Sequence, residues 1–299
     1  MTPVEREQLE ADCTFRRVVE LELYPVRGNF DAAHLKEVNR RIFQDLPALG
    51  FHDVRPGQFR APVPAGRDWL KNRVLGNREG SYFVAYSAMD TAAQDRLEKV
   101  LARANPSQLQ GLKTATFTER LAELYAELDY IHPFSDGNSR TLRTFTRQLA
   151  MESGYELAWE RFSGSPDGRD CLYVARDSSV NTLAKPFLQS EFAMRKLIST
   201  QGHLAGYRAL PDLLRDVIQP GRAVAFEQLQ EADALAEHPE LAVAYKTMQA
   251  AAAYFESKMP GMPKEQNAGL LAVRQHIQAM LNAGETRDFQ QGREAGNFE

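Results

Sequence analysis

Residues 131–147, IHPFSDGNSRTLRTFTR, decide the fold because they end one amphipathic helix and begin another. Apolar residues recur at helical spacing from Phe117 to Ile131, and this pattern stops at His132, which precedes a proline. A residue before proline is disfavoured in the α region, so the first helix ends there. After FSDGN the helical period resumes and reaches Leu149. The sequence therefore predicts two buried helices joined by a polar turn.

The remainder of the chain is also mainly helical in pattern. Apolar stripes at helical spacing occupy residues 31–46, 241–255 and 270–281. The exception is 73–87, RVLGNREGSYFVAYS, in which a glycine-bearing turn separates a short apolar run from aromatic and β-branched residues, as in a β-hairpin. We expect loops around Pro220 and in 258–269, KMPGMPKEQNAG, and a frayed polar tail from residue 284. These patterns predict an all-α fold with one small hairpin.

Composition limits the class of protein. The chain has 299 residues, 43% of them hydrophobic, which is enough for one sizeable core or two. Its formal net charge of −4 gives no long-range attraction to nucleic acid or to anionic lipid. We therefore expect neither a direct nucleic-acid partner nor a membrane partner.

The two cysteines, Cys13 and Cys171, lie far apart and without zinc-ligand spacing, as in a protein of a reducing compartment. The N-terminus is charged from residue 5 onward, and no run of about 18 apolar residues occurs. The expected location is the cytoplasm. Translocation into another cell, by a machine that reads an uncleaved signal, stays an alternative.

Residues 132–143 place the parts of a nucleotide site at the start of a helix. The first backbone N–H groups of a helix that begins near Asn138 have no intrahelical partners and can bind a phosphate. Gly137 lets the backbone approach a ligand closely. Arg140 and Arg143, at i and i+3, project from one side and can bind phosphate oxygens.

Two further side chains complete this candidate site. Asp136 is an oxygen ligand suited to Mg²⁺, although a pure capping role of its carboxylate competes with that interpretation. His132 is the nearby group whose pKa suits it to take a proton from a hydroxyl at neutral pH. The arginines could instead form a solvated helix face, a role that fits Arg147 better.

The segment HPFSDGNSRTLR resembles the Fic family signature H-P-F-x-[DE]-G-N-G-R-x-x-R. Residues 30–60 also resemble the helix and loop that precede the flap in this family. The resemblance covers residues 1 to about 200, as a Fic-like helical bundle with a β-hairpin flap. It leaves 201–299 as a helical C-terminal extension of unknown role.

The resemblance implies a protein adenylyltransferase that moves AMP from its substrate ATP, with Mg²⁺, to a Ser, Thr or Tyr hydroxyl of a target protein and releases pyrophosphate. Such enzymes include bacterial toxins and translocated effectors. Carried over by position, the resemblance implies that His132 is the base and that Asp136 binds Mg²⁺. It implies that Gly137, Asn138 and Ser139 form the anion hole. Arg140 would stabilise the leaving pyrophosphate, Arg143 would bind the γ-phosphate, and Phe134 would be a buried anchor.

The resemblance also implies how a target docks. The hairpin at 73–87 is positioned like the family's flap, which pairs with an extended target segment by strand addition. On this basis Tyr82, Phe83 and Val84 would line the docking strand. Packing of the flap aromatic side chains on the domain itself stays an equal alternative.

Two departures from the family pattern matter. Ser139 stands where the signature has glycine, so transfer of another moiety such as phosphate or UMP, or a nucleotide-binding interaction protein without turnover, remain alternatives. Neither terminus contains the inhibitory pattern [ST]-x-x-x-E-[GN]. Under the resemblance, Arg143 is then free unless a separate small antitoxin supplies the inhibitory glutamate.

Overall fold

The computed structural model describes residues 2–76 and 81–282, most of which are helical. They group into two compact units, Met1–Gln219 and Pro220–Glu299. The all-α class with a small hairpin is confirmed.

The first unit contains the two predicted central helices. Its described helices are α1 (Pro3–Leu23), α2 (Ala32–Phe43), α3 (Thr91–Leu101), α4 (Pro106–Leu109), α5 (Thr114–Ile131), α6 (Asn138–Glu152), α7 (Pro166–Ala184), α8 (Glu191–His203) and α9 (Leu210–Arg215). Phe117 and Ile131 of α5 and Phe145 and Leu149 of α6 are fully buried, so the predicted apolar stripes form the core. Each such side chain contributes about 1.5–3 kcal/mol through burial.

The division between units falls later than the predicted boundary near residue 200. Helix α9 packs against α5 and α7, and Leu210, Leu213 and Leu214 are buried there. Residues 201–219 therefore belong to the core of the first unit. The apolar pattern of α9 spans only six residues, which is too short to predict from the sequence that this segment packs in the core.

The hairpin consists of β1 (Trp69–Val74) and β2 (Ser81–Tyr86), antiparallel, with Trp69 opposite Tyr86 and Val74 opposite Ser81. It begins earlier than the predicted residue 73. Lys71 and Asn72 are exposed on β1 and interrupt its apolar pattern. The predicted turn residues 77–80 lie outside the described residues.

A second small sheet was not predicted from the sequence. It pairs β3 (Tyr155–Leu157) with β4 (Ile218–Pro220), and three residues per strand give too little alternation to detect.

The second unit is a small helical cluster. Its described helices are α10 (Arg222–Gln228), α11 (Glu231–Glu237), α12 (Ala242–Lys258) and α13 (Pro263–Asn282). Phe226, Leu241, Ile277 and Leu281 form the centre of its core. The predicted loop 258–269 is wrong beyond Met262, because a proline is well tolerated in the first turn of a helix and α13 begins with one. The polar tail from residue 284 lies outside the described residues.

Within the two described ranges, none of the helices combines the length and the apolarity that a membrane span requires.

Candidate active site

The site is built on the sharp turn between α5 and α6. His132 follows the last residue of α5 in a left-handed conformation, with φ 50° and ψ 60°, and its N–H donates to the Leu128 carbonyl at 3.0 Å. Gly137, with φ 72°, directly precedes α6. The first intrahelical bond of α6 runs from the Thr141 N–H to the Gly137 carbonyl, so the earlier N–H groups of this helix are available to an anion.

Two side chains fix this turn. The Asn138 amide accepts from the Phe134 N–H at 2.9 Å and donates to the Phe134 carbonyl at 2.7 Å. The Arg60 guanidinium donates to the His132 carbonyl at 2.8 Å, and the Arg60 N–H donates to the Pro133 carbonyl at 2.9 Å. Asn138 therefore uses its side chain to hold the loop, and Phe134 is buried as the resemblance implies.

Gly137 is required by two constraints. Its φ of +72° is costly for other residues, and a Cβ at this position would lie 2.0 Å from Cζ of the buried Phe43 ring. A side chain at this position therefore strains the backbone and displaces the Phe43 ring.

Gly137→Ala is expected to lower the free energy of unfolding by about 2–3 kcal/mol, from strain of the left-handed backbone plus displacement of Phe43. Urea unfolding followed by circular dichroism measures the change. The control is Gly50→Ala, where φ is +90° but a Cβ meets nothing within 4 Å, so only backbone strain of about 1 kcal/mol applies. Equal losses in the two variants would show that Phe43 does not constrain the turn.

His132 is buried and contacts two aromatic rings of the hairpin. Its side chain lies 3.8 Å from the Tyr86 ring centroid and 5.3 Å from that of Trp69. Nδ1 lies 3.3 Å from the Asp129 backbone oxygen and 3.3 Å from Asp129 Oδ1. Burial lowers the pKa of His132, and Asp129 opposes this shift. The imidazole is therefore neutral at neutral pH and can accept a proton.

A buried charge cluster lies behind His132. Asp129 Oδ2 forms an ion pair with Arg176 Nε at 2.8 Å, and Arg176 in turn lies 3.3 Å from Asp177. Asp177 receives hydrogen bonds from Arg73 at 2.8 Å and from the Tyr82 hydroxyl at 2.9 Å. The cluster therefore connects α5 and α7 to both strands of the hairpin.

Sequence reasoning missed this cluster. The signal for Asp129 was present, since an acidic residue interrupts the apolar end of α5 three positions before His132. Nothing local singles out Arg176 or Asp177, whose partners come from other elements.

Ser139 faces the cluster. Its hydroxyl accepts a hydrogen bond from Arg176 at 3.2 Å. The side chain thus has a partner inside the domain, while the Ser139 backbone N–H stays at the start of α6.

The three arginines of α6 have different surroundings. Arg140 donates to the Thr14 hydroxyl at 2.8 Å and to Glu10 at 2.5 Å, both on α1. Arg143 donates only to its own helix at Ser139 O, 3.3 Å away, and no carboxylate pairs with it in the described part of the chain. Arg147 pairs with Glu22 and Glu160, the solvated pairing that the sequence predicts for it.

Asp136 is exposed, and its Oδ1 accepts the Gly137 N–H at 2.6 Å. This bond involves one of the two carboxylate oxygens and an N–H that precedes α6, so Asp136 does not cap the helix itself. No group of three or more potential metal ligands occurs among residues 2–76 and 81–282. A single exposed carboxylate fits Mg²⁺, which is usually bound by one or two carboxylates together with phosphates and water.

The structure places Tyr82 and Val84 inside the domain, 3% and 0% exposed. The outer edge of β2 is also occupied: the Ala85 N–H donates to Asn181 at 3.0 Å, and the Phe83 N–H donates to Thr200 at 3.1 Å. This corrects the expectation that Tyr82, Phe83 and Val84 form the docking strand. The strand with exposed residues is β1.

The chain matches a known protein family over the region that contains this site. The Fic/DOC family matches residues 29–150, a range that runs from just before α2 almost to the end of α6. It contains the hairpin, the turn and all three arginines of α6.

Proteins named as adenylyltransferases are similar to the chain. Protein adenylyltransferase VbhT of Bartonella schoenbuchensis is 27% identical over 236 residues, 78% of this chain and 45% of that protein. A probable protein adenylyltransferase Fic of Escherichia coli K12 is 30% identical over 155 residues, 52% of this chain and 66% of that protein. The chain thus spans less than half of the first relative and about two thirds of the second.

Among solved structures, the N-terminal Fic domain of a VirB-translocated Bep effector protein from Bartonella quintana, solved with bound ADP, is 22% identical. The match has a TM-score of 0.47 and covers 75% of this chain and 89% of that one.

Proposed function

Because the chain carries a Fic domain, with residues 29–150 belonging to the Fic/DOC family, we propose that it is a protein adenylyltransferase that transfers AMP from ATP to a Ser, Thr or Tyr hydroxyl of a target protein. One observation carries the proposal. A buried imidazole, His132, begins the short turn that leads into the N-terminus of α6, and this helix start presents N–H groups and two arginines.

His132 is the base in this reaction. Its imidazole takes the proton of the target hydroxyl while the hydroxyl oxygen bonds to the α-phosphorus of ATP, and the bond from that phosphorus to the bridging oxygen of the β-phosphate breaks. Pyrophosphate leaves with the electron pair. The lowered pKa of His132 keeps the ring neutral and ready for this proton at neutral pH.

The start of α6 and its arginines bind the phosphates. The N–H groups of Asn138 and Ser139 stabilise the charge on the α-phosphate, Arg140 stabilises the leaving pyrophosphate, and Arg143 binds the γ-phosphate. Arg140 must exchange Glu10 for phosphate. A partly exposed ion pair of this kind contributes only about 0–1 kcal/mol, so a triphosphate can displace it.

Asp136 would hold Mg²⁺ together with the phosphates, using the oxygen that does not accept the Gly137 N–H. When bound, the ion neutralises phosphate charge.

The contact of Ser139 with Arg176 supports an active enzyme over a silenced nucleotide-binding protein. A serine at this position silences the site only if its side chain blocks the phosphate cradle. Its hydroxyl is instead engaged by a buried guanidinium.

The target segment pairs with β1. Lys71, Asn72 and Val74 are exposed on this strand, whereas the outer edge of β2 is covered by α7 and α8. Trp69 of β1 contacts the His132 ring, so a segment added at β1 passes beside the base.

A separate small antitoxin protein is the proposed regulator. A groove of about 700 Å³ lies between α1 and α6, lined by Phe15, Val18, Met151 and Arg143. Phe15 and Met151 are exposed, and Arg143 lacks a carboxylate partner in the described part of the chain. The groove is also lined by Glu22 and Glu160, but both are paired with Arg147, so an amphipathic helix carrying a glutamate matches the apolar residues and Arg143.

The test is label transfer from ATP with Mg²⁺ to proteins of a bacterial and, separately, a eukaryotic lysate, since the target lies either in the producing cell or, after translocation, in another one. A protein band is expected to take label from α-³²P-ATP and none from γ-³²P-ATP, with the mass increase of AMP. Label from γ alone would instead establish a phosphotransferase. Bound nucleotide with no label in either lysate, and rescue by Ser139→Gly, would establish a silenced site.

Two arginine variants serve as matched arms of this assay. Arg143→Ala is expected to weaken ATP binding about 10-fold, the effect of losing charged hydrogen bonds to a phosphate. Arg147→Ala, on the same helix but paired with Glu22 and Glu160, is expected to leave label transfer within about twofold.

A further inference from the structure

The strongest unexplained feature is the carboxylate of Asp129. Its side chain is 1% exposed, one oxygen lies 3.3 Å from His132 Nδ1, and the other lies 2.8 Å from Arg176 Nε. A buried carboxylate is unfavourable unless it is paired with a cation. Arg176 is that cation for Asp129, and the second carboxylate oxygen lies beside His132.

We propose that Asp129, held in place by Arg176, is the positioning residue of His132: its carboxylate keeps the proton on Nδ1 and thereby presents Nε2 to the acceptor hydroxyl. The role of Nε2 in the reaction rests on the proposed function, whereas the tautomer of the His132 ring does not. A neutral imidazole has one N–H and one lone pair, and an acceptor beside Nδ1 selects the tautomer whose lone pair is on Nε2.

Arg176 fixes where this carboxylate lies. It is 2% exposed and contacts Asp129, Asp177 and Ser139 at 2.8, 3.3 and 3.2 Å. Since Asp177 also binds Arg73 and Tyr82 of the hairpin, the position of Asp129 is tied to the hairpin that covers the histidine.

Charged and titratable groups face His132 from four elements: Asp129 on α5, Arg176 on α7, Lys71 on β1 and Tyr86 on β2. Lys71 and Arg176 lower the pKa of His132, and Asp129 raises it. Removing the Asp129 charge therefore lowers this pKa, because the two cations then act unopposed.

The backbone carbonyl of Asp129 is a competing acceptor, since it lies 3.3 Å from Nδ1 with hydrogen-bond geometry, whereas the carboxylate Oδ1 lies at ion-pair distance only. Asp129→Asn separates the two possibilities. The substitution removes the charge of the side chain and keeps the carbonyl in place.

The experiment is NMR titration of the full chain labelled with ¹⁵N-histidine, without nucleotide, with the His132 signal assigned by its loss in His132→Asn. Wild-type protein is expected to carry the proton on Nδ1. Asp129→Asn is expected to lower the pKa of His132, because the carboxylate charge that raises it is removed. Asp45→Asn, which removes an acid paired with Arg17 on the surface, is the control and should leave it unchanged.

Two results would overturn the proposal. A proton on Nε2 in the wild type excludes Asp129 as its acceptor, and this measurement does not depend on the folding of Asp129→Asn. A His132 pKa in Asp129→Asn that equals the wild-type value assigns the role to the carbonyl.

Label transfer completes the test. Asp129→Asn is expected to lower kcat about 10-fold or more, with ATP affinity within about twofold. If the NMR result holds but the wild type transfers no label, the proposed function fails and the positioning role stands. If the wild type transfers AMP but Asp129→Asn titrates and turns over like it, the positioning role fails alone.

Discussion

Replacing His132 by alanine or asparagine is expected to reduce the transfer of AMP to the target by about 10²- to 10⁴-fold, the usual contribution of a general base. The N–H groups of α6, Arg140 and Arg143 are unchanged in these variants, so ATP affinity should stay within about twofold. Asparagine tolerates the left-handed backbone that His132 adopts, so it separates loss of the base from strain of the turn. Initial rates of label transfer and calorimetric ATP titration measure the two effects.

The control is His52→Ala, which removes an exposed histidine from a loop. In the wild type, the rate should fall with decreasing pH, with a midpoint below 6.5, because burial lowers the pKa of His132. The base is active when its imidazole is neutral. The fall of the transfer rate at acidic pH therefore occurs at lower pH than it would for an exposed histidine. Retention of more than a tenth of the rate in both His132 variants would remove this residue from the role of base.

Replacing Arg176 by methionine is expected to lower the free energy of unfolding at pH 7 by about 3–5 kcal/mol, because the change removes one partner from a buried ion cluster. Asp129 and Asp177 are both fully buried, and in the variant Asp129 loses the cation that neutralises it. Urea unfolding at pH 7 measures the loss. Arg147→Met, which breaks partly exposed ion pairs on α6, should lose less than about 1 kcal/mol per pair.

The pH dependence of Arg176→Met distinguishes lost charge from lost packing. In the wild type, burial raises the pKa of Asp129, but Arg176 and His132 outweigh it and hold the value below normal. That stabilisation is present above the unfolded-state pKa and is lost as pH falls through the folded-state value. In the variant, burial dominates and raises the pKa, so stability is lost as pH rises. The difference between the two proteins should therefore shrink between pH 7 and pH 5, and a constant difference would assign the effect to packing.

Local sequence predicts the elements of the site well. The proline after His132 ends α5, and the flexible Gly137 permits the left-handed turn before α6. Charged residues three positions apart place Arg140 and Arg143 on one side of that helix. These are properties of single residues and their near neighbours, and they follow from backbone sterics and helical periodicity.

The hairpin shows where such reasoning ends. The aromatic residues of β2 are typical of a strand, and the sequence left open whether they face a target or the domain. Tyr82 is buried against Asp177, and Asn181 occupies the edge of β2. Burial of a strand face depends on which helices pack against it, and those helices lie far along the chain.

The sequence by itself determined that this chain is mainly helical, that it carries a Fic signature, and that a histidine and two arginines flank a helix N-terminus. Only the tertiary structure decided that Arg140 is paired with Glu10, that Ser139 faces Arg176, and that Asp129 stands behind His132. The physical reason is that ion pairing and burial depend on distances between helices. Periodicity fixes the face of a helix on which a side chain lies, but its partner is set by how the helices pack.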